Sequence, residues 1–253
     1  MSEQGQVQLH IRNKIAYVNF YHPASNSFPS NLLAELSNTI SKLDQNNEVT
    51  LIVLQSEGER AFCAGASFDE LLEVDNQQNG EQFFSGFAHV INAMRKSSKI
   101  IVGRVQGKAV GGGVGLVSAC DYVFATESAS VKLSELAIGI GPFVIEPAVS
   151  RKIGIPAMSE MTLEAETWKS AQWAKENKLF TQVFSSIAEM DEAVNAFCDR
   201  LSAYNPEALQ EMKKAMWQGT EHWDELLIER AKISGRLVLS DFTRNALSKF
   251  KQK

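Results

Sequence analysis

Apolar and polar positions change rhythm along this chain, and each rhythm predicts an element. From Lys14 to Tyr21 (KIAYVNFY) they alternate and run into the turn-like HPASNS, the pattern of a strand. Leu32, Leu33, Leu36, Ile40 and Leu43 repeat at helical spacing. Val49–Ser56 is a continuous apolar run, expected of a strand buried on both faces. The loop EGERAFCAGAS follows, then a helix from Phe68. The polar stretch from Glu73 to Gln82 predicts a mobile segment before a helix over Phe83–Met94. A strand over Ile100–Gln106, a glycine-rich run opening a helix, and strands at Tyr122–Ala125 and Ser130–Lys132 complete an alternating order. That order predicts parallel strands joined by helical crossovers. After Glu135 the strand signal fades, apart from a helix and short extended piece in SAQWAKENKLFTQVF. Met190–Tyr204, Pro206–Gly219 with Asn205 as its cap, and Glu221–Lys251 all carry helical period. The expected organisation is an α/β core over residues 1–190 and a helical segment over 191–253.

Composition adds mainly exclusions. The 253 residues are 44% apolar and 22% charged, an ordinary globular balance. A net charge of −5 gives no reason to expect nucleic acid or an anionic membrane as partner. The apolar runs are too short to span a bilayer, and MSEQGQVQLH lacks the features of a signal peptide. Cys63, Cys120 and Cys198 are odd in number and widely spaced, which predicts reduced thiols and a cytoplasmic setting. His10, His22, His89 and His222 are scattered, so no metal site is expected.

The chemistry concentrates in KAVGGGVGLVSACD, Lys108 to Asp121. Its glycines miss the third position of a dinucleotide fingerprint, Gly107-Lys108-Ala109 fails as a phosphate loop, and no GxSxG elbow exists. One reading remaining is close packing of a helix on a sheet. The other comes from a second small-residue loop, Ala61–Ser67, which also sits between a strand and a helix. Two such loops offer unpaired N–H groups, and together they would make a hole for a developing oxyanion.

AFCAGASFDEL, VQGKAVGGGVGLVSACDYVFAT and VKLSELAIGI resemble, in order and spacing, the enoyl-CoA hydratase/isomerase (crotonase) superfamily. The resemblance runs from about Val7 to the C-terminus. It implies a spiral of ββα units with a C-terminal helical domain used in trimerisation, hence a homotrimer or dimer of trimers. It implies an acyl-CoA substrate, coenzyme A being the substrate carrier and no separate cofactor being needed. Ala66 and Gly112 match the two oxyanion N–H donors, and Glu135 matches a catalytic glutamate. The second glutamate of the hydratases falls on Gly115, which has no side chain. A double-bond shift needs one base, whereas addition of water calls for a second group to orient the nucleophile.

HPASNSFPSNLLAEL, LAIGIGPFVIEPAVSRKIG and NALSKFKQK look like the Δ3,Δ2-enoyl-CoA isomerase branch. The aspartate of a dienoyl-CoA isomerase falls on Phe143, which disfavours that branch. Substitute acids for a hydratase would be Glu146 or Asp69, Glu70 and Glu73; a non-catalytic acyl-CoA-binding relative is the reading of another class. Ala24, Asn26, Ala64, Ala66 and Phe68 match positions whose backbone holds the adenine and pantetheine, Gly111 matches a further substrate-contacting position, Ile138, Ile140 and Phe143 would line the acyl pocket, and Lys249 or Lys251 would meet a phosphate. At the end of the helix in SAQWAKENKLF, Lys178 stands where a glycine is common, and Asn177 is expected to take the left-handed conformation.

Overall fold

The computed structural model of the protein describes residues 5–250. The hairpin of β1 (Gln6–Arg12) and β2 (Ile15–Tyr21) leads into α1 (Ser30–Asp44). Three strand–strand units follow. The first is β3 (Leu51–Ser56), β4 (Ala61–Cys63), then α2 (Phe68–Glu73) and α3 (Gln77–Lys96). The second is β5 (Ile100–Val105), β6 (Lys108–Val110) and α4 (Gly112–Ala119). The third is β7 (Tyr122–Thr126), β8 (Ser130–Lys132) and a 3-10 turn at Leu136–Ile138. Then come α5 (Glu146–Leu163), β9 (Lys169–Ser170), α6 (Ala171–Glu176), β10 (Gln182–Phe184), α7 (Ile187–Ser202), α8 (Pro206–Met216), α9 (Trp223–Leu237) and α10 (Asp241–Phe250).

Each unit sends its first strand to one sheet and its second to another. The large sheet has the order β1-β2-β3-β5-β7-β10, parallel except for the β1–β2 hairpin. The small sheet has the order β4-β6-β8-β9, with the first three strands parallel. This is the spiral of ββα units, and it explains the continuous apolar run of β3. Ile52 and Leu54 enter the core shared with α1 and α3, while Leu51 and Val53 pack with Met190, Val194 and Cys198 of α7 on the opposite face.

Four sequence expectations change. The Glu73–Gln82 stretch is not a loop throughout, because α3 begins at Gln77, capped by Asn76 Oδ1 accepting from the Asn79 N–H. Its polar residues are solvent-facing helix, and Gly80 touches Gly235 of α9 backbone to backbone: a Cβ on Gly80 would lie 2.8 Å from the Gly235 Cα. A division after residue 190 falls inside α7, whose Met190 packs against the core sheet together with Val194. The helical stretch from Glu221 breaks at Val238–Ser240, where Ser240 Oγ accepts from the Thr243 N–H at 3.3 Å, the bond of an N-terminal cap. Asn205 caps α8 as expected, accepting from the Glu207 N–H.

The fourth change is at the end of α6. Lys178 itself adopts φ +69°, while Asn177 keeps φ −87°. The turn drives Leu179 and Phe180 into the core, both fully buried, and the exposed lysine bears the left-handed strain. Lys178→Gly is therefore expected to raise stability by about 0.5–1 kcal/mol, the strain relieved exceeding the entropy glycine adds to the unfolded chain. Urea denaturation at fixed pH measures it.

Candidate active site

β4, β6 and β8 are neighbouring parallel strands, so their C-terminal ends lie side by side, about 4.8 Å from strand to strand. Ala66, Gly112 and Glu135 each lie two or three residues beyond one of these ends. Topology alone therefore gathers three segments separated by more than twenty residues each, at the strand ends where α/β folds bind ligands.

The first loop is held by Phe28. Its N–H donates to Gly65 O at 2.8 Å and its carbonyl accepts from the Ser67 N–H at 2.9 Å, a parallel bridge between Phe28 and Ala66. A residue bridged in this way turns its own N–H to the other side. The Ala66 N–H thus faces away from Phe28, and Ala66 lines a cavity there. Gly65 makes the turn possible at φ +94°; a Cβ on it would lie 3.1 Å from Val110 O and 3.7 Å from the Gly112 nitrogen. The two small-residue loops therefore meet.

The glycine run packs closely, one of the two readings the sequence left open, and it also reaches the cavity wall. Gly113 permits close packing, since a Cβ there would lie 2.6 Å from Cys63 O. Gly111 takes φ +53° ahead of α4 and donates to Lys132 O, tying the loop to β8. Gly112 starts α4, so its N–H has no helical partner, and a Cβ on it would overlap the Phe87 ring. Across from them, a Cβ on Gly111 would lie 2.8 Å from Glu135 Oε1. The carboxylate thus abuts the start of α4.

Glu135 as a residue is half-buried, but its Oε2 is sealed from solvent and has no hydrogen-bond partner. Burial pushes its carboxyl up to about 7, opposed only in part by a hydrogen bond from its own main-chain N–H. The cavity it faces has a volume of about 200 Å³. Phe83, Phe84 and Phe87 of α3, Ile140 and Ile145 form apolar walls, and among the described residues Glu135 is the one ionisable side chain on them. A groove of about 700 Å³ along Leu9, His10, Tyr17 and Asn195 is larger, but among the described residues no carboxylate lines it. Among the described residues no cluster of three metal-binding side chains occurs.

The model of a family described as enoyl-CoA hydratase/isomerase matches residues 10–248. The chain belongs to this family. A peroxisomal Δ(3,5)-Δ(2,4)-dienoyl-CoA isomerase of Arabidopsis thaliana is 26% identical over 239 residues, 88% of this chain and 84% of the relative. A short-chain-enoyl-CoA hydratase of Clostridium acetobutylicum is 25% identical over 257 residues, 99% of this chain and 96% of the relative. A crystal structure of an enoyl-CoA hydratase from Bacillus halodurans superimposes with a TM-score of 0.89 at 21% identity, covering 96% of this chain and 99% of that one, which shows the shared fold.

Within this family member, Ala64, Ala66, Phe68, Gly111, Gly112, Glu135, Ile138 and Phe143 all line the cavity. Ala24 and Asn26 do not. Ala24 is exposed, near the first loop through the Ala64 N–H bond to Ser25 O. Asn26 is buried and spends its amide on its own chain, donating to Glu57 O and Ala61 O and accepting from the His22 N–H. It fastens the turn that carries the first loop.

The candidate second acids also lie outside. Asp69 and Glu73 are exposed. Glu70 accepts from Ser30 N–H and Oγ at the start of α1. Glu146 accepts from Ser150 Oγ at 2.6 Å and sits 3.8 Å from Arg230. At the position of the absent glutamate, a Cβ on Gly115 would lie 2.5 Å from Ile145 Cγ2. An apolar side chain occupies the room a second carboxylate would need. Lys249 is exposed on α10, and Lys251 lies outside the described residues. The cysteines are buried, with thiols raised to about 12 by desolvation, and none lines the cavity. No helix among the described residues is long and apolar enough to cross a membrane.

The three α3 phenylalanines, Ser134, Ile145 and Ser234 are wall residues that the sequence reading did not single out. Phe83, Phe84 and Phe87 carried a signal, an aromatic cluster at i, i+1 and i+4. Ser234 carried none, since α9 reaches the wall through its long-range packing on α3, the Gly80–Gly235 crossing included.

Proposed function

We propose that this family member moves a double bond along the acyl chain of an enoyl-CoA thioester, using Glu135 as its single proton carrier. The observation that carries this reading is the solitary carboxylate: Glu135 faces the cavity, and Ile145 fills the place beside Gly115. The thioester carbonyl oxygen would lodge between the Ala66 and Gly112 N–H groups. Glu135 takes a proton from C2, the electrons pass into the carbonyl, and the two amides stabilise the resulting oxyanion. Removing one such donor typically costs about 3–4 kcal/mol in the transition state. The dienolate then accepts the same proton from Glu135 at C4, which leaves the double bond between C2 and C3 and the carboxylate regenerated. No cofactor is consumed. A carboxyl near 7 suits both steps, being basic enough to take the proton and acidic enough to return it.

The hydratase reading is supported by the names of relatives, and the non-catalytic reading by Gly115. Against the latter, a carboxylate oxygen sealed from solvent without a partner, Glu135 Oε2, is a standing cost that binding alone does not require. Incubation with a 3-enoyl-CoA and, separately, a 2-enoyl-CoA decides among them. Interconversion of the two isomers is expected. Accumulation of 3-hydroxyacyl-CoA without migration would establish the hydratase, and bound ester without turnover the silent relative. A homotrimer or dimer of trimers and a cytoplasmic setting belong to the same proposal.

A further inference from the structure

Among the described residues, the acyl wall contains two hydroxyls that the proton transfer does not use, Ser134 beside Glu135 and Ser234 on α9. Ser234, on α9, is 1% exposed and lines the cavity. Helical serines elsewhere satisfy themselves by bonding back one turn, as Ser118 Oγ does to Val114 O and Ser85 Oγ to Glu81 O. Ser234 Oγ makes no such bond, nor any other among the described residues. Its placement is enforced by the neighbouring Gly235, whose backbone contact with Gly80 presses α9 against α3. The wall's other hydroxyl, Ser134, is the chain neighbour of Glu135.

A purely hydrocarbon tail packed against Ser234 would remove its hydroxyl from water and offer nothing in return, an unfavourable exchange. Among the described residues the wall also carries no lysine, arginine or histidine, so an acidic tail would be buried uncompensated. For size, a dry protein cavity of about 150 Å³ accommodates benzene, six carbons in a ring. This cavity, at about 200 Å³, suits an acyl group of similar carbon count. In the proposed reaction C1 to C4 would be held at the amides and Glu135, which would leave the carbons beyond C4 to meet α9.

Resting on the proposed acyl-CoA reading, we infer that Ser234 is a specificity-determining residue that selects acyl groups of about six carbons bearing a neutral hydrogen-bonding oxygen beyond C4. Binding of saturated esters tests this without requiring turnover. Hexanoyl-CoA, 5-hydroxyhexanoyl-CoA and 6-hydroxyhexanoyl-CoA are titrated calorimetrically against the wild type and Ser234→Ala. At least one hydroxylated ester is expected to gain about tenfold in affinity over hexanoyl-CoA in the wild type, and to lose that advantage in the variant. Equal ratios in the two proteins would overturn the inference, the hydroxyl then being packing only. Circular dichroism checks folding, and Ser234→Cys, similar in shape with a weaker donor, repeats the test should the alanine variant not fold. Ser234-dependent affinity without isomerisation would sink the proposed reaction alone. Failure of the wild type to bind any of the three esters would sink the inference too.

Discussion

Glu135→Gln is expected to lower kcat for double-bond migration by about 10²- to 10⁴-fold, the usual worth of a positioned acid–base group. Glutamine keeps the shape of the side chain, so affinity for a saturated acyl-CoA should change little. A second effect separates this residue from a generic active-site carboxylate. Glu135 titrates near 7 in the folded protein and in the ordinary carboxylate range when unfolded. The folded state therefore holds the proton more tightly, and stability is lost as pH rises between the unfolded pKa and about 7. Glutamine removes that dependence. The variant should exceed the wild type by roughly 1–3 kcal/mol at pH 8 and converge with it towards pH 4.5, as read by denaturant melts at both values. A variant less active and less stable at pH 8 would place Glu135 in a structural role instead.

The second large effect is expected from Gly112→Ala. The added methyl would overlap the Phe87 ring, itself a cavity wall packed edge-on to Phe28. Either the ring moves into the acyl space or the start of α4 moves away from Ala66. Both spoil the alignment of an amide donor, and misplacing one donor is worth about 10²- to 10³-fold in rate. The loss should fall on kcat more than on KM, because the oxyanion is stronger in the transition state than in the ester. Steady-state kinetics of the variant measure the split. A variant with unchanged kcat would remove Gly112 from the oxyanion site.

Most of this architecture was legible because its signals are local. The apolar run of β3, the small-residue loops at Ala66 and Gly112, and the cap at Asn205 each need only a few adjacent residues. Glu135 and the amides could be read together because two loops and one motif keep fixed order and spacing. Where reading failed, a distant contact or competing side chain decided. Asn76 and the Gly80–Gly235 crossing made helix out of a polar stretch that looked mobile. Lys178 took the strained turn because burial of Leu179 and Phe180 outweighed its own preference. Asn26 lies outside the cavity wall because its amide is committed to the Glu57 and Ala61 carbonyls, bonds that no local pattern announces. Ser234 reaches the wall from the far end of the chain, a placement no local pattern encodes.

The most direct test of a lone carboxylate moving the proton is the pH dependence of kcat/KM for a 3-enoyl-CoA. The base must be ionised to begin the reaction, so the rate should climb tenfold per pH unit below about 7, then level off and stay level to pH 9. A flat profile, or a bell whose second limb requires another ionising acid in the cavity, would contradict the single-base account.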